Sequence, residues 1–175
     1  GENDIRLTRE LDNIRVRCTV ALSRPSSDGD WVHVAIEHGE LMFRKYGVSG
    51  ICVYDLSRLF EPGDELSVNF LPDHAPFDTD EVEDYLRSRR STLAKRFGDD
   101  LTYEDMLRGL LLPRVFEALL KHHGIDPRAS LGDDGIEQLA SLLTMYPLSL
   151  DGIADAGQCQ VRRGGFDVTG FDSRT

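Results

Sequence analysis

GELMFRKYGVSGICVYDLSRL, residues 39–59, decides how this chain is read, because three local signals meet in it. Gly39 and Glu40 are expected to break an extended run. Leu41 and Phe43 then continue it with the period of two that puts alternate side chains on one face. Tyr46-Gly47-Val48-Ser49-Gly50 reads as a turn whose glycines accept positive φ. Ser49 is the expected N-cap of a short helix, along which Ile51, Val53, Tyr54, Leu56 and Leu59 recur at three- and four-residue steps as one apolar face.

Upstream, Ile14, Val16, Cys18, Val20 and Leu22 alternate with Arg15, Arg17, Thr19, Ala21 and Ser23, the pattern of a strand with one buried face. PSSDGD, residues 25–30, is a turn cluster, and residues 31–38 predict a second strand, so the pair forms an antiparallel hairpin with a loop longer than two residues. Downstream, Pro62-Gly63-Asp64 turns the chain into a third extended run, residues 65–71, with Leu66, Val68 and Phe70 on one side. Pro72 ends that run.

From residue 78 the period changes from two to 3.6, which opens a helical region. Asp78 with Glu81 predicts a capping box, and Asp80, Glu81, Glu83 and Asp84 lie where the helix dipole favours negative charge. The same acids lack the spacing and the closing Glu of a calcium loop. Val82, Tyr85, Leu86, Leu93, Ala94 and Phe97 predict the apolar face of this first helix, and Gly98 its end. Thr102 is expected to cap a second helix with Met106, Leu107 and Leu110. Pro113 opens a third, which buries Val115, Phe116, Leu119 and Leu120 and closes at Gly124. A fourth spans residues 134–146, carries Ile136, Leu139, Ala140, Leu142 and Leu143, and is ended by Pro147.

Short extended runs return at residues 148–153, 158–163 and 166–169. The economical architecture is α+β, a small antiparallel β sheet or barrel built from both ends of the chain, residues 1–72 and 147–175. A four-helix subdomain, residues 73–146, is inserted between them, with an apolar cluster expected around Leu86, Phe116, Leu119 and Leu139.

Composition narrows the functional classes. Of 175 residues 40% are hydrophobic and 29% charged, and no apolar run approaches the ~18 residues of a membrane helix. Residues 1–30 show no secretion signal, so a cytoplasmic location is expected. A net charge of −11 repels phosphate backbones and argues against nucleic acid as a partner. Arg87, Arg89, Arg90, Lys95 and Arg96 then read as a solvated helix face. Three cysteines, Cys18, Cys52 and Cys159, form no CxxC pair and are expected to be reduced, buried and free of metal.

The motifs for catalysis are sparse. Neither G-x-G-x-x-G nor G-x-x-x-x-G-K-[ST] occurs, so the sequence carries no dinucleotide fingerprint and no P-loop. Gly47-Val48-Ser49-Gly50 differs from the hydrolase elbow because its second glycine comes one residue early. His33 and His38 are an odd number of residues apart on one strand, so they are expected on opposite faces and unable to share a metal. His122 and His123 read as cations at a helix C-terminus. Arg162-Arg163-Gly164-Gly165 reads either as a tight turn with exposed charges or as a close approach to an anionic ligand.

Residues 39–51 resemble the segment GELLFTHYGLSGP of the bacterial FAD-dependent oxidoreductases typified by BaiN and the aminoacetone-oxidase-like flavoproteins. Leu71-Pro72-Asp73 resembles that family's DLLPD and Leu112-Pro113-Arg114 its LLPKRL. Pro147-Leu148 resembles its PL strand entry, and residues 161–166 (VRRGGF) its VTAGGV. Arg44-Lys45, Ile51 and Arg162-Arg163 stand where the family usually has Thr-His, Pro and Thr-Ala.

The resemblance implies a unit inserted into an FAD-binding domain, so that this chain lacks the segments that bind FAD and its partners are that domain and a small-molecule substrate. It implies that the parent moves a hydride between a nicotinamide or small organic substrate and flavin. Ser49, Gly50, Arg163, Gly164 and Gly165 are the implied flavin- or substrate-proximal positions, beside the isoalloxazine. No catalytic or metal-binding residue is assigned. The competing class is a stand-alone binding or interaction module without catalysis.

Overall fold

The structure is a computed structural model that describes residues 2–73 and 79–152. Strand β1 (Arg15–Pro25) is the middle of the fold. It pairs antiparallel with β2 (Trp31–Arg44) on one side and β4 (Glu65–Asn69) on the other. Short β3 (Gly47–Ser49) extends the sheet beyond β2, and β5 (Tyr146–Ser149) extends it beyond β4. The order is β3-β2-β1-β4-β5, a curled antiparallel half-barrel.

The central place of β1 alters one sequence expectation. Alternation predicts one buried face, whereas every residue from Cys18 to Ser23 is buried, Thr19 and Ala21 on the second face included. Gly39 and Glu40 do not break β2, which runs through both. Gly39 lies opposite Cys18, and a Cβ built on it would sit 3.6 Å from Cys52 Cβ, so the missing side chain makes room for α2 (Ile51–Ser57).

A bulge interrupts the β1–β2 register, where Leu22 faces Ala35 but Ser23 faces His33. The extra residue, Val34, reverses the parity of the strand beyond it. His38 Nδ1 lies 2.7 Å from Thr19 Oγ1, and His33 Nδ1 lies 3.1 Å from Ser23 Oγ. Thr19 and Ser23 share one face of β1, so the two histidines share a face, contrary to the parity argument. Four residues of strand still separate them, roughly 13 Å at 3.3 Å per residue, too far for one metal ion.

Helix α1 (Glu2–Glu10) precedes the sheet and was not anticipated from the sequence. Leu7 and Leu11, one helical turn apart, are fully buried and anchor it. Between β4 and β5 the chain forms α3 (Thr79–Phe97), α4 (Tyr103–Leu107), α5 (Pro113–His122) and α6 (Asp133–Thr144). Thr102 caps α4 in a capping box with Asp105. Pro113 stands at N1 of α5. Gly124, at φ 71°, closes α5 while the Ile125 N–H donates back to the Leu120 carbonyl at 2.9 Å.

Two helix expectations change. Phe97 is 68% exposed, and Tyr85, Leu93 and Ala94 are half-buried, so only Val82 and Leu86 of α3 reach full burial. The fourth helix stops at Thr144, and Tyr146 belongs to β5, where Pro147 sits on the outer strand among the described residues, a place that tolerates a missing donor. The capping role expected of Asp78 lies outside the described residues.

Leu86, Phe116, Leu119 and Leu139 share one continuous core with Val20, Leu22, Leu66 and Val68 of the sheet rather than forming a cluster of their own. The backbone joins the same layers, since the Phe70 N–H donates to the Leu143 carbonyl at 2.8 Å.

The basic residues of α3 do more than face water. Arg89 donates to the Met106 and Arg108 carbonyls at 2.8 and 2.6 Å, fastening the end of α4. Arg90 pairs with Asp133 at 2.7 Å, at the start of α6.

Candidate functional site

The corner formed by β2, β3 and α2 holds the described part of the sequence-predicted site. After Arg44 the chain turns and returns as β3, with Met42 opposite Ser49, Phe43 opposite Val48 and Arg44 opposite Gly47. Ser49 is therefore a strand residue, and the N-cap of α2 is Gly50, with no side-chain capping bond. The Ser49 hydroxyl donates to Tyr54 Oη at 2.9 Å and is buried, so its hydrogen bonding is turned inward.

Gly50 takes φ 111° and ψ 168°, a region that essentially only glycine occupies. A Cβ there would lie 2.2 Å from the Glu40 carbonyl oxygen. Two backbones meet at this point, and the meeting sets where α2 leaves the sheet. Tyr46, Ile51 and Tyr54 form the exposed rim of the corner. Arg44 and Lys45 turn away towards the loop after α1, where Arg44 Nη1 donates to Asn13 Oδ1 at 2.7 Å and the Lys45 N–H to Asp12 Oδ1 at 3.1 Å.

A partly buried ion pair fixes the far end of α2. Arg24 donates to both oxygens of Asp64, at 2.7 and 2.9 Å, and to the Leu59 carbonyl at 2.9 Å. Asp64 also accepts the Glu61 N–H at 2.9 Å, and its side chain has no exposed surface. The Arg24 hydrogen bonds hold the Asp64 carboxyl below the ordinary carboxylate range, against the opposing effect of burial.

A depressed folded-state value means that this stabilisation is complete above the unfolded value of about 3.9 and is lost as pH falls through the folded value. Asp64→Asn should therefore lower the urea midpoint at neutral pH, and the gap to the parent chain should narrow as pH falls below about 3.9. Midpoints measured along a pH series check this, and a gap of constant size would refute it. The sequence marks Asp64 only as a turn residue and Arg24 not at all, because only the fold brings the two charges together.

The described residues do not fit the pyrophosphate of a dinucleotide. The one place where strand, glycine and helix follow in order is β3, Gly50 and α2. There Gly50 closes against Glu40 instead of opening a cradle, and α2 is only seven residues long. Arg163, Gly164 and Gly165 lie outside the described residues, as do Arg162, Cys159 and the extended runs expected at 158–163 and 166–169.

Cys18 and Cys52 are free, buried thiols. No group of three or more potential metal ligands occurs among the described residues. His122 lies 3.4 Å from Glu10 of α1. His123 packs edge-on against Tyr146, and burial lowers its basicity, with His122 adding to the effect, so the cation expected there is disfavoured. No helix among the described residues is long and apolar enough to cross a membrane.

A half-barrel continued by a run of helices is the class of domain defined here. The model of the HI0933-like protein barrel and H2TH domain matches residues 19–160, well over half of the chain. The chain belongs to the HI0933-like family of FAD-dependent oxidoreductases. A comparison with curated proteins found no match.

Proposed function

We propose that this chain is the pocket-shaping insertion region of an FAD-dependent oxidoreductase, with the dinucleotide-binding segments supplied from outside residues 1–175. The family match over residues 19–160 carries the reading. The absence of a pyrophosphate cradle among the described residues supports it, because tight dinucleotide binding draws on a glycine turn and a helix N-terminus. In this reading residues 1–72 and 147–175 form the β subdomain, residues 73–146 are the inserted helical subdomain, and the partners are the flavin domain and a small-molecule substrate in the cytoplasm. Flavin supplies the redox chemistry, and this chain supplies walls that exclude water and orient the substrate. Ser49, Gly50, Arg163, Gly164 and Gly165 are the positions assigned to the flavin or substrate side.

The purified 175-residue chain is expected to be colourless, to show no saturable FAD binding at low micromolar concentration and to lack activity with nicotinamide donors. Titration followed by flavin fluorescence tests this, with a flavin-domain-containing parent as the positive control. Saturable low-micromolar binding to the chain alone would place the cofactor site within it. A parent that also failed to bind FAD would favour the other class, a stand-alone interaction module.

A further inference from the structure

The structure assigns to Cys18 and Cys52 a dithiol that closes to a reversible disulfide when a peroxide oxidises it, tying the first turn of α2 to the central strand. This modification site is independent of the flavin reading. Its geometry is set by Gly39. Cys18 lies directly opposite Gly39 in the antiparallel register, where facing Cβ positions are about 4.5–5.5 Å apart. Cys52 Cβ is 3.6 Å from the position a Gly39 Cβ would take. The two thiols therefore flank the same vacant side-chain position on one face of the sheet. Bridging requires Cβ atoms about 3.5–4.5 Å apart, within reach of that arrangement.

The Cys52 thiol donates to the Glu40 carbonyl at 3.4 Å, which holds its sulfur against β2 beside Gly39. The neighbouring Cys18 thiol, helped by the Val53 and Cys52 N–H groups, pulls the Cys52 thiol below its ordinary range, while Cys52 and burial push Cys18 up. Cys52 is thus the thiol that ionises first and Cys18 the one that resolves. Both are fully buried, so access runs through the first turn of α2, which has no side-chain cap and begins at Ile51, 67% exposed.

The chemistry balances with hydrogen peroxide as oxidant. The Cys52 thiolate attacks one peroxide oxygen and the O–O bond breaks, leaving a sulfenic acid and a hydroxide that takes up the proton Cys52 released. Cys18 then attacks that sulfur, the S–S bond forms, the S–O bond breaks, and the oxygen leaves as water with the Cys18 proton. Two thiols are oxidised and one peroxide is reduced to two waters.

The test uses the reduced full chain, freed of reductant and treated with hydrogen peroxide at neutral pH. Peptide mapping should find Cys18 joined to Cys52, lighter by two hydrogens and restored by dithiothreitol. In the Cys159→Ser chain the free-thiol titre should fall from two to none, since the sequence has three cysteines. Met145, 51% exposed, serves as an internal clock through its sulfoxide. The inference is overturned if Cys18 and Cys52 are recovered as thiols, as separate sulfinic acids or as links to Cys159 once Met145 is fully oxidised. Cys52→Ala should abolish the link and leave Cys18 a thiol. Should that variant fail to fold, the map of the Cys159→Ser chain decides alone.

Discussion

Gly50→Ala is expected to destabilise the chain by about 3 kcal/mol or more, because two penalties add. The first is conformational, since φ 111° with ψ 168° excludes side chains at roughly 1–3 kcal/mol. The second is steric. The new Cβ would lie 2.2 Å from the Glu40 carbonyl oxygen and 3.1 Å from Leu41 Cα, both backbone atoms that no rotamer change can move aside. Relief requires α2 to shift off β2, which opens the packing of Cys52, Val53 and Leu56, all buried. Urea unfolding compared with the parent chain measures the loss, and a change under about 1 kcal/mol would show that the corner yields easily. Lost flavin activity in a Gly50 variant of a full-length parent would then report a displaced helix before it reported a lost contact.

Phe116→Ala is the second large effect, expected at ~3–5 kcal/mol. Phe116 is fully buried on α5, in the core that joins the helices to β1 and β4. Truncation leaves a cavity in that core, whose other side chains are held by their own helices and strands and fill it only in part. Because the core is continuous, unfolding should stay a single transition seen equally by far-UV circular dichroism and tyrosine absorbance. A loss below ~1 kcal/mol would contradict this placement.

What the sequence makes legible here follows local chemistry. The β1–β2 hairpin, the turn into β4, the Thr102 cap, Pro113 at N1 and the Gly124 stop each rest on neighbours in the chain, and each appears. The bulge at Val34 has no such signal, because the alternation around it is uninterrupted and the extra residue arises from matching β2 to β1. Phe97 keeps helical spacing with Leu86 and Leu93, yet it lies on the last turn of α3 with Arg96 over its ring and nothing of the core behind it. Helix α1 is polar enough to pass for a tail, although Leu7 and Leu11 carried the needed i, i+4 signal. In residues 39–59 the helix after Gly50 is legible, but the expected turn at Tyr46–Gly50 contains strand β3, and the cap falls to Gly50, since Ser49 spends its hydroxyl on Tyr54.

The pairing of β4 with β5 bears on how this chain is made. During synthesis, β4 leaves the ribosome with one edge claimed by β1, and its other edge waits for Tyr146–Ser149, four helices later. At roughly 5–20 residues per second that edge stays open for several seconds to over ten. The carboxylate at its start, Glu65, helps to guard it meanwhile, since charge discourages a foreign strand from docking. Slowing translation between residues 70 and 146 should therefore raise the aggregated fraction of nascent chains more than an equal pause after residue 149.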